Sequence, residues 1–364
     1  MGKKADERAK KDKSKGKGPT KGRSKDNKRG KVEGTLSAKE LKKLREKESQ
    51  KVSKAKASKP SKAPKAPKAS KASKASKASK SAKSTTPASL RDLLRFGPGS
   101  SLAAIDPSST PGYEGKESAA VDEMEAMQDG LGELQERLYA EAKGGGKRSL
   151  LLVVQGMDTS GKGGIMRHVV GAFDPQGVRH TAFKAPTSQE RAHPFLWRIT
   201  NALPSVGEIG VFDRSHYEDV LIVRVHDLVP RAQWARRYAQ INAWERRVSA
   251  RGATIVKIML HISKDEQKAR LTERLDRPDK HWKFNPGDID ERAHWDDYMA
   301  AYEAALGKCS TEVAPWYVVP ANHKWYARYA VTSLVLDHLT EMDPQWPAAT
   351  FDVAEQQARL AASD

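Results

Sequence analysis

The chain has 364 residues, a single cysteine and a formal net charge of +19. One cysteine excludes a disulfide framework and a cysteine-built zinc site. Residues 1–86 carry 31 Lys and Arg against 8 Asp and Glu, whereas the remainder carries 34 against 38; the charge that would attract a polyanion therefore sits at one end, and the rest is mildly acidic.

In chain order, residues 1–86 are low in complexity, with Lys-Ala-Ser and Lys-Ala-Pro triplets through Lys62–Lys80. They hold too few large apolar groups to offset the entropy of ordering, and disorder is expected. No apolar segment follows the lysines, so no secretory signal is read. The longest apolar run, near Leu150–Val154, is strand-sized rather than membrane-spanning, and a reducing cytoplasm is the expected compartment. Residues 87–120 read as an irregular arm rich in Pro, Gly and Ser. Met124, Met127, Leu131, Leu134 and Leu138 recur at spacings of three and four, one face of a helix that Gly144–Gly146 ends. Ser149–Gln155, Glu208–Phe212, Thr254–Leu260 and Trp316–Val319 read as short buried strands. Helices are expected from near Lys162, over Arg231–Arg251, from Lys264 with Ser263 as its cap, over Asp288–Leu306 and over Trp325–Leu339. Strands alternating with helices imply a parallel sheet covered on both faces. The folded part is placed at 121–355, with residues 356–364 as a C-terminal tail.

Gly156-Met157-Asp158-Thr159-Ser160-Gly161-Lys162-Gly163 holds the Gly-x4-Gly-Lys core of a phosphate-binding P-loop, between an apolar strand and a helix. Gly156 and Gly161 let successive N–H groups face one anion, the helix start adds positive potential, and Lys162 adds a full charge. Gly163 stands where a magnesium-binding Ser or Thr is usual. Asp158, inside the loop, becomes the metal candidate, because a carboxylate there repels phosphate unless a cation lies between them. Downstream, Gly210-Val211-Phe212-Asp213-Arg214 is an apolar strand ending in Asp, in the manner of a Walker-B element. Asp213 could share the metal, and Arg214 could reach a phosphoryl group in transfer. His216 reads as a positioning or packing residue. Arg270, Arg274 and Arg277 share a helical face, and Lys280 and Lys283 extend the positive charge beyond Pro278. A basic lid over about 265–298 is expected. Lys184, Arg191, His193 and Arg198 form a further run of cations suited to an extended anion.

These segments together resemble the polyphosphate kinase 2 family. The matching stretches are Gly156–Gly164, Phe183-Lys184-Ala185-Pro186, Gly207–Val225, Asp276–Tyr298, Ala314-Pro315-Trp316-Tyr317 and His323-Lys324-Trp325-Tyr326. The likeness runs from about Leu90 to Val353. The resemblance implies an α/β fold, a three-layer α/β/α P-loop kinase like thymidylate kinase, with a parallel sheet and a helical lid. It implies polyphosphate as donor, magnesium or manganese bound by Asp158 and Asp213, and Lys162 and Arg214 on the transferred group. Gly156, Gly161 and Gly163 belong to the phosphate cradle, Arg274, Lys280 and Lys283 to the lid contacts, and Lys184 and Arg198 to a polyphosphate track. Glu218, with Arg214, falls where the family contacts the acceptor nucleotide. Ser215–Val225 is worded like the subgroup that phosphorylates AMP and in some members ADP. Asp213, however, is the residue of ADP-specific relatives, so the acceptor stays open.

The expected activity is reversible, metal-assisted, in-line transfer of the terminal phosphate of polyphosphate to AMP, ADP or both, with guanine nucleotides as further candidates. A homodimer or homotetramer is expected by analogy. Two rivals remain at the level of sequence. One is an ATP-dependent nucleoside monophosphate kinase. The other is a polyanion- or DNA-binding role for residues 1–86, whose lysines would hold phosphates without sequence preference.

Overall fold

Five parallel strands form one sheet in the order β2-β3-β1-β4-β5. They are β1 Ser149–Gly156, β2 Val178–Ala182, β3 Ile209–Asp213, β4 Ala253–His261 and β5 Trp316–Pro320. The computed structural model describes residues 88–363; the expectation for residues 1–86 lies outside the described residues. All eight residues of β1 are buried, which its Leu-Leu-Leu-Val-Val run permits and a strand covered on both faces requires. Register fixes the functional edge: Val154 lies opposite Asp213, Ala182 opposite Asp213, and Gly156 opposite Leu260. The chain winds outward from β1 to β2, returns to β3, and then crosses β1 to reach β4. The direction of winding therefore reverses at β1, and the crevice beyond such a switch point is where open α/β sheets bind ligands.

The helices before β3 are α1 Leu90–Leu94, α2 Glu117–Lys143, α3 Lys162–His168, α4 Ser188–Arg191 and α5 Trp197–Asn201. Those after it are α6 Ile222–Val225, α7 Arg231–Ser249, α8 Lys264–Asp276, α9 Gly287–Ala293, α10 Trp295–Cys309, α11 Lys324–Met342 and α12 Val353–Ala361. Helices α2, α3 and α11 pack together on one face, while α7 and α10 pack together on the other, the arrangement right-handed crossovers impose. The fold is the three-layer α/β/α architecture with a parallel sheet. Ser263 caps α8 by accepting the Glu266 N–H at 3.1 Å. Among the described residues no helix is long and apolar enough to cross a membrane.

Several local expectations need correction. The segment 87–120 is not irregular throughout. Ser89 and Asp92 form a capping box on α1, Phe96 N–H bonds Trp316 O at 2.8 Å, and Arg95 bridges Tyr317, so the arm covers the open edge of β5. Helix α2 already begins at Glu117. Strand β2 escapes sequence patterning because Val-Arg-His-Thr-Ala is a half-exposed edge strand with no apolar run. The helix expected over Asp288–Leu306 is broken at His294 into α9 and α10. The break lets Glu291 reach both His226 at 3.0 Å and Tyr298 OH at 2.7 Å. The supposed C-terminal tail at 356–364 is helical across its assigned boundary: Asp352 accepts the Glu355 N–H at 3.0 Å and starts α12, and no Gly or Pro interrupts the residues that follow.

Candidate active site

The loop from β1 to α3 has the backbone its glycines foretell. Gly156 and Gly161 have φ of 154° and 111°, values open to glycine and strained for other residues. A Cβ on Gly156 would lie 2.5 Å from Ser160 Oγ and 2.8 Å from Leu260 O, so no side chain fits. Thr159 also takes a positive φ, 65°. The loop is braced from outside: buried Gln267 on α8 donates to Asp158 O at 3.2 Å, and Arg270 donates to Thr159 O at 2.9 Å. Arg270 also holds Ala321 O at 2.6 Å and Asn322 O at 3.0 Å, which ties the loop to the end of β5. Arg270, placed with the lid cations on sequence spacing, is thus a buried brace. The hydroxyls of Thr159 and Ser160 are buried without a partner among the described residues, as suits a loop shaped to meet ligand oxygens.

Asp158 and Arg214 come together from the ends of β1 and β3, with Arg214 Nη2 to Asp158 Oδ1 at 2.9 Å. Arg214 sits at φ 63°, a conformation non-glycine residues adopt at a cost and functional sites often hold. Burial opposes ionisation of Asp158, but Lys162 and Arg214 outweigh it and hold the carboxyl below its usual range. Burial likewise opposes the Arg214 charge, while Glu218 and Asp158 raise its affinity for its proton. Lys162 Nζ donates to Gly156 O at 2.8 Å and Met157 O at 3.2 Å. Burial lowers its pKa, with Asp158 and Asp213 acting against that shift. Both aspartates therefore act on one ammonium.

Glu218 follows on the same turn as Arg214. Its Oε1 accepts from Gln155 Nε2 at 3.0 Å, so the polar residue next to last in β1 fixes the carboxylate. His216 is fully buried and turned away from the crevice: its Nε2 faces Glu245 Oε1 at 3.2 Å. It shares Glu245 with Tyr217 OH at 2.8 Å and with Lys257 Nζ at 2.7 Å, which makes it an anchor of the turn.

The P-loop is the wall between two cavities. One, of about 260 Å³, is lined by Thr159, Ser160, Gly161 and Gly164, by Arg274, Arg277, Lys280, Lys283, Lys324 and Arg328, and by one carboxylate, Glu273, among others. The other, of about 220 Å³, is lined by Gly156, Met157, Asp158, Arg214, Glu218, Asp288, Tyr298 and Tyr302 among others. The expected lid residues Arg274, Lys280 and Lys283 thus face the P-loop. Gly163 has open space where a side chain would stand. Lys184 and Arg198 lie together elsewhere. Arg198 Nη1 donates to Lys184 O at 2.8 Å, and both line a separate cavity beside β2. Sequence reasoning gave no role to Gln155, Gln267, Asp288, Tyr298 or Tyr302. The one local signal was a polar Gln closing an apolar strand.

Asp158 and Asp213 are oxygen donors suited to a hard divalent cation. Among the described residues no three His, Cys, Asp or Glu side chains gather into a metal-holding group. Asp158 lines the smaller cavity and Asp213 closes β3 opposite Val154; two carboxylates would leave most of an ion's shell to phosphate and water oxygens.

Comparison with known proteins agrees with this geometry. The family description Polyphosphate kinase 2 (PPK2) matches residues 115–347. An AMP/ADP-polyphosphate phosphotransferase of Meiothermus ruber is 47% identical over 246 residues, 68% of this chain and 91% of that protein. An ADP-polyphosphate phosphotransferase of Rhodopseudomonas palustris is 42% identical over 252 residues, 66% of this chain and 86% of that protein. The crystal structure of Polyphosphate Kinase 2 from Arthrobacter aurescens TC1 superposes with a TM-score of 0.75 at 57% identity, covering 76% of this chain and 98% of that one. With the P-loop, the Asp158–Arg214 pair and the cations Arg274, Lys280 and Lys283 inside the matched span, this chain belongs to the polyphosphate kinase 2 family.

Proposed function

We propose that the chain transfers the terminal phosphoryl group of inorganic polyphosphate to AMP, ADP or both, and runs the exchange in reverse. One observation carries this reading: the P-loop divides a cavity rich in cations from one that holds Arg214, Glu218 and two tyrosines. An anionic donor chain suits the first, and a nucleotide acceptor suits the second. Arg214, in the second cavity and paired with Asp158 of the P-loop, would stabilise the phosphoryl oxygens during transfer, and Lys162 would hold the donor phosphate behind them. Glu218 would orient the acceptor. The nucleotide phosphate is itself the nucleophile, so no strong general base is needed, and buried His216 is not called on. Asp158 and Asp213 would hold magnesium or manganese, which when bound offsets the charge of the two approaching anions. Closure of the segment that carries Arg274, Lys280 and Lys283 would keep water from competing.

An ATP-dependent monophosphate kinase is less well supported, because Gly163 leaves the loop without the hydroxyl that such enzymes use on magnesium. The test offers purified protein AMP and ADP separately with long-chain polyphosphate and magnesium, and resolves the products. ADP from AMP with no ATP present is expected. Formation of ATP from ADP that is absent in Asp158→Asn would identify ADP as an acceptor. Product with ATP as the only effective donor would overturn the proposal.

A further inference from the structure

The basic cavity beside the P-loop has a feature the lid does not explain. Most of its cations are engaged: Arg274 with Asp288 at 3.3 Å, Arg277 with Glu273 at 3.1 Å and with Asp279 at 3.0 Å, Lys280 with Asp279 at 3.4 Å, and Lys324 with Glu273 at 3.4 Å. Arg328, from the second turn of α11, has no carboxylate or hydrogen-bond partner among the described residues, although it is half-buried. Its guanidinium lies against the first turn of α3: a Cβ on Gly164 would be 3.8 Å from Nε and 3.9 Å from Nη2. Beyond it, on the same helix as Gly164, stands exposed Arg167, also unpaired among the described residues. Burial, helped by Arg167, weakens the hold of Arg328 on its proton, and Glu117 is the carboxylate that opposes this. His168 loses basicity to burial and then to Arg328 and Arg167. Glu117 acts on Arg328 only through its field and Glu273 is taken up by Arg277 and Lys324, so Arg328 and Arg167, like charges with no carboxylate in contact among the described residues, favour an anion between them.

On the alternative route for a long anion, past Lys184 and Arg198, the guanidinium is already engaged. Arg198 is nearly covered, lies 4.0 Å from Glu190, and stacks over Phe183 at 5.4 Å while bonding Lys184 O.

Given that the donor is polyphosphate, as proposed above, we infer that its chain leaves the P-loop over Gly164 and along α11 and α3, with Arg328 gripping an inner phosphate and Arg167 one further out. Lys324 and Lys283 close this channel from either side. The acceptor then meets the chain end from the opposite cavity, across Asp158 and Arg214. The His323-Lys324-Trp325-Tyr326 stretch, to which sequence reasoning gave no task, becomes the start of the helix that carries the donor route.

The test measures KM for tripolyphosphate and for long-chain polyphosphate, with AMP as acceptor, in the full-length protein. Arg328→Gln is expected to raise KM for long chains roughly tenfold, the size of one lost charge-assisted contact. It should also flatten the plot of log KM against log salt by about one unit, with KM for AMP and the unfolding midpoint held. Arg328→Lys should recover part of the loss. Arg167→Gln should raise KM for long chains and spare tripolyphosphate. Arg236→Gln, an equal loss of charge on the far helix α7, serves as the comparison. If Arg328→Gln and Arg167→Gln move KM no more than Arg236→Gln while Lys184→Gln raises it, the route is wrong and the proposed function stands. If the wild type makes no ADP from AMP and polyphosphate, the proposed function fails and the route falls with it.

Discussion

Lys162 is an ammonium held by the carbonyls of its own loop, and its environment makes a prediction. Burial lowers its pKa from 10.5, and the fields of Asp158 and Asp213 do not fully restore it. A lysine with a depressed pKa is charged below that value and loses its proton as pH rises through it. The profile of kcat/KM reports groups of the free enzyme. It should therefore fall on the alkaline side at a pH below the ordinary lysine value. Lys162→Arg should remove that limb, since guanidinium stays charged throughout, and Lys162→Ala should cost roughly 10²–10³ in kcat, the usual loss for one transition-state donor. A limb unchanged in Lys162→Arg would assign the titration to another group. Lys162, Asp158, Asp213 and Arg214 were legible in the sequence because Asp158 and Lys162 share the short loop into α3 and Asp213 and Arg214 end β3, so that the chain order of each motif is also its spatial order. Gln267, Arg270 and Arg328 were not, because helices far along the chain bring them to the loop and no spacing announces that meeting.

At the scale of the element, the turn that carries Arg214 and Glu218 is hung on a buried charge. Lys257 on β4 and Glu245 on α7 are both fully buried, 2.7 Å apart. Lys257 Nζ also donates to Tyr217 OH and Cys309 O, each at 2.8 Å; three acceptors match the three protons of an ammonium. Burial works against the Glu245 charge, but Lys257 and His216 outweigh it and hold the carboxyl below its usual range. Breaking such a pair from one side strands a buried charge. Glu245→Gln or Lys257→Met should each cost about 3–5 kcal/mol of stability. The double variant should lose clearly less than the sum, because it strands no charge. Denaturant unfolding of the four proteins checks this, and strictly additive losses would show that the two side chains do not act as a pair. The strands themselves were legible as apolar runs. This network was not: Lys257 sits within an apolar strand, where its charge reads as an interruption, and the partner that explains it comes from a neighbouring helix. Edge strand β2 was invisible for the converse reason, having no buried face to pattern its residues.

At the scale of the whole molecule the chain is divided by charge. Residues 1–86 carry a large positive excess, and the remainder, 34 basic against 38 acidic residues, does not. Every side chain to which the chemistry proposed above gives a task lies within residues 115–347, the part that the family description matches. A cationic segment joined to a site that consumes a polyanion raises the concentration of that polyanion near the site without adding a contact to it. Such capture is electrostatic, so it weakens steeply as salt rises. Removing residues 1–86 should therefore raise KM for long-chain polyphosphate at low salt and flatten its salt dependence. The same truncation should leave kcat, KM for AMP and the unfolding midpoint as they are. Tripolyphosphate, with few charges for the lysines to hold, should be used equally well by both proteins. Truncated protein with the same KM and the same salt slope as the full chain would show that the basic segment takes no part in donor capture. Loss of duplex DNA retention in a gel shift, with the polyphosphate kinetics intact, would instead assign those lysines to nucleic acid.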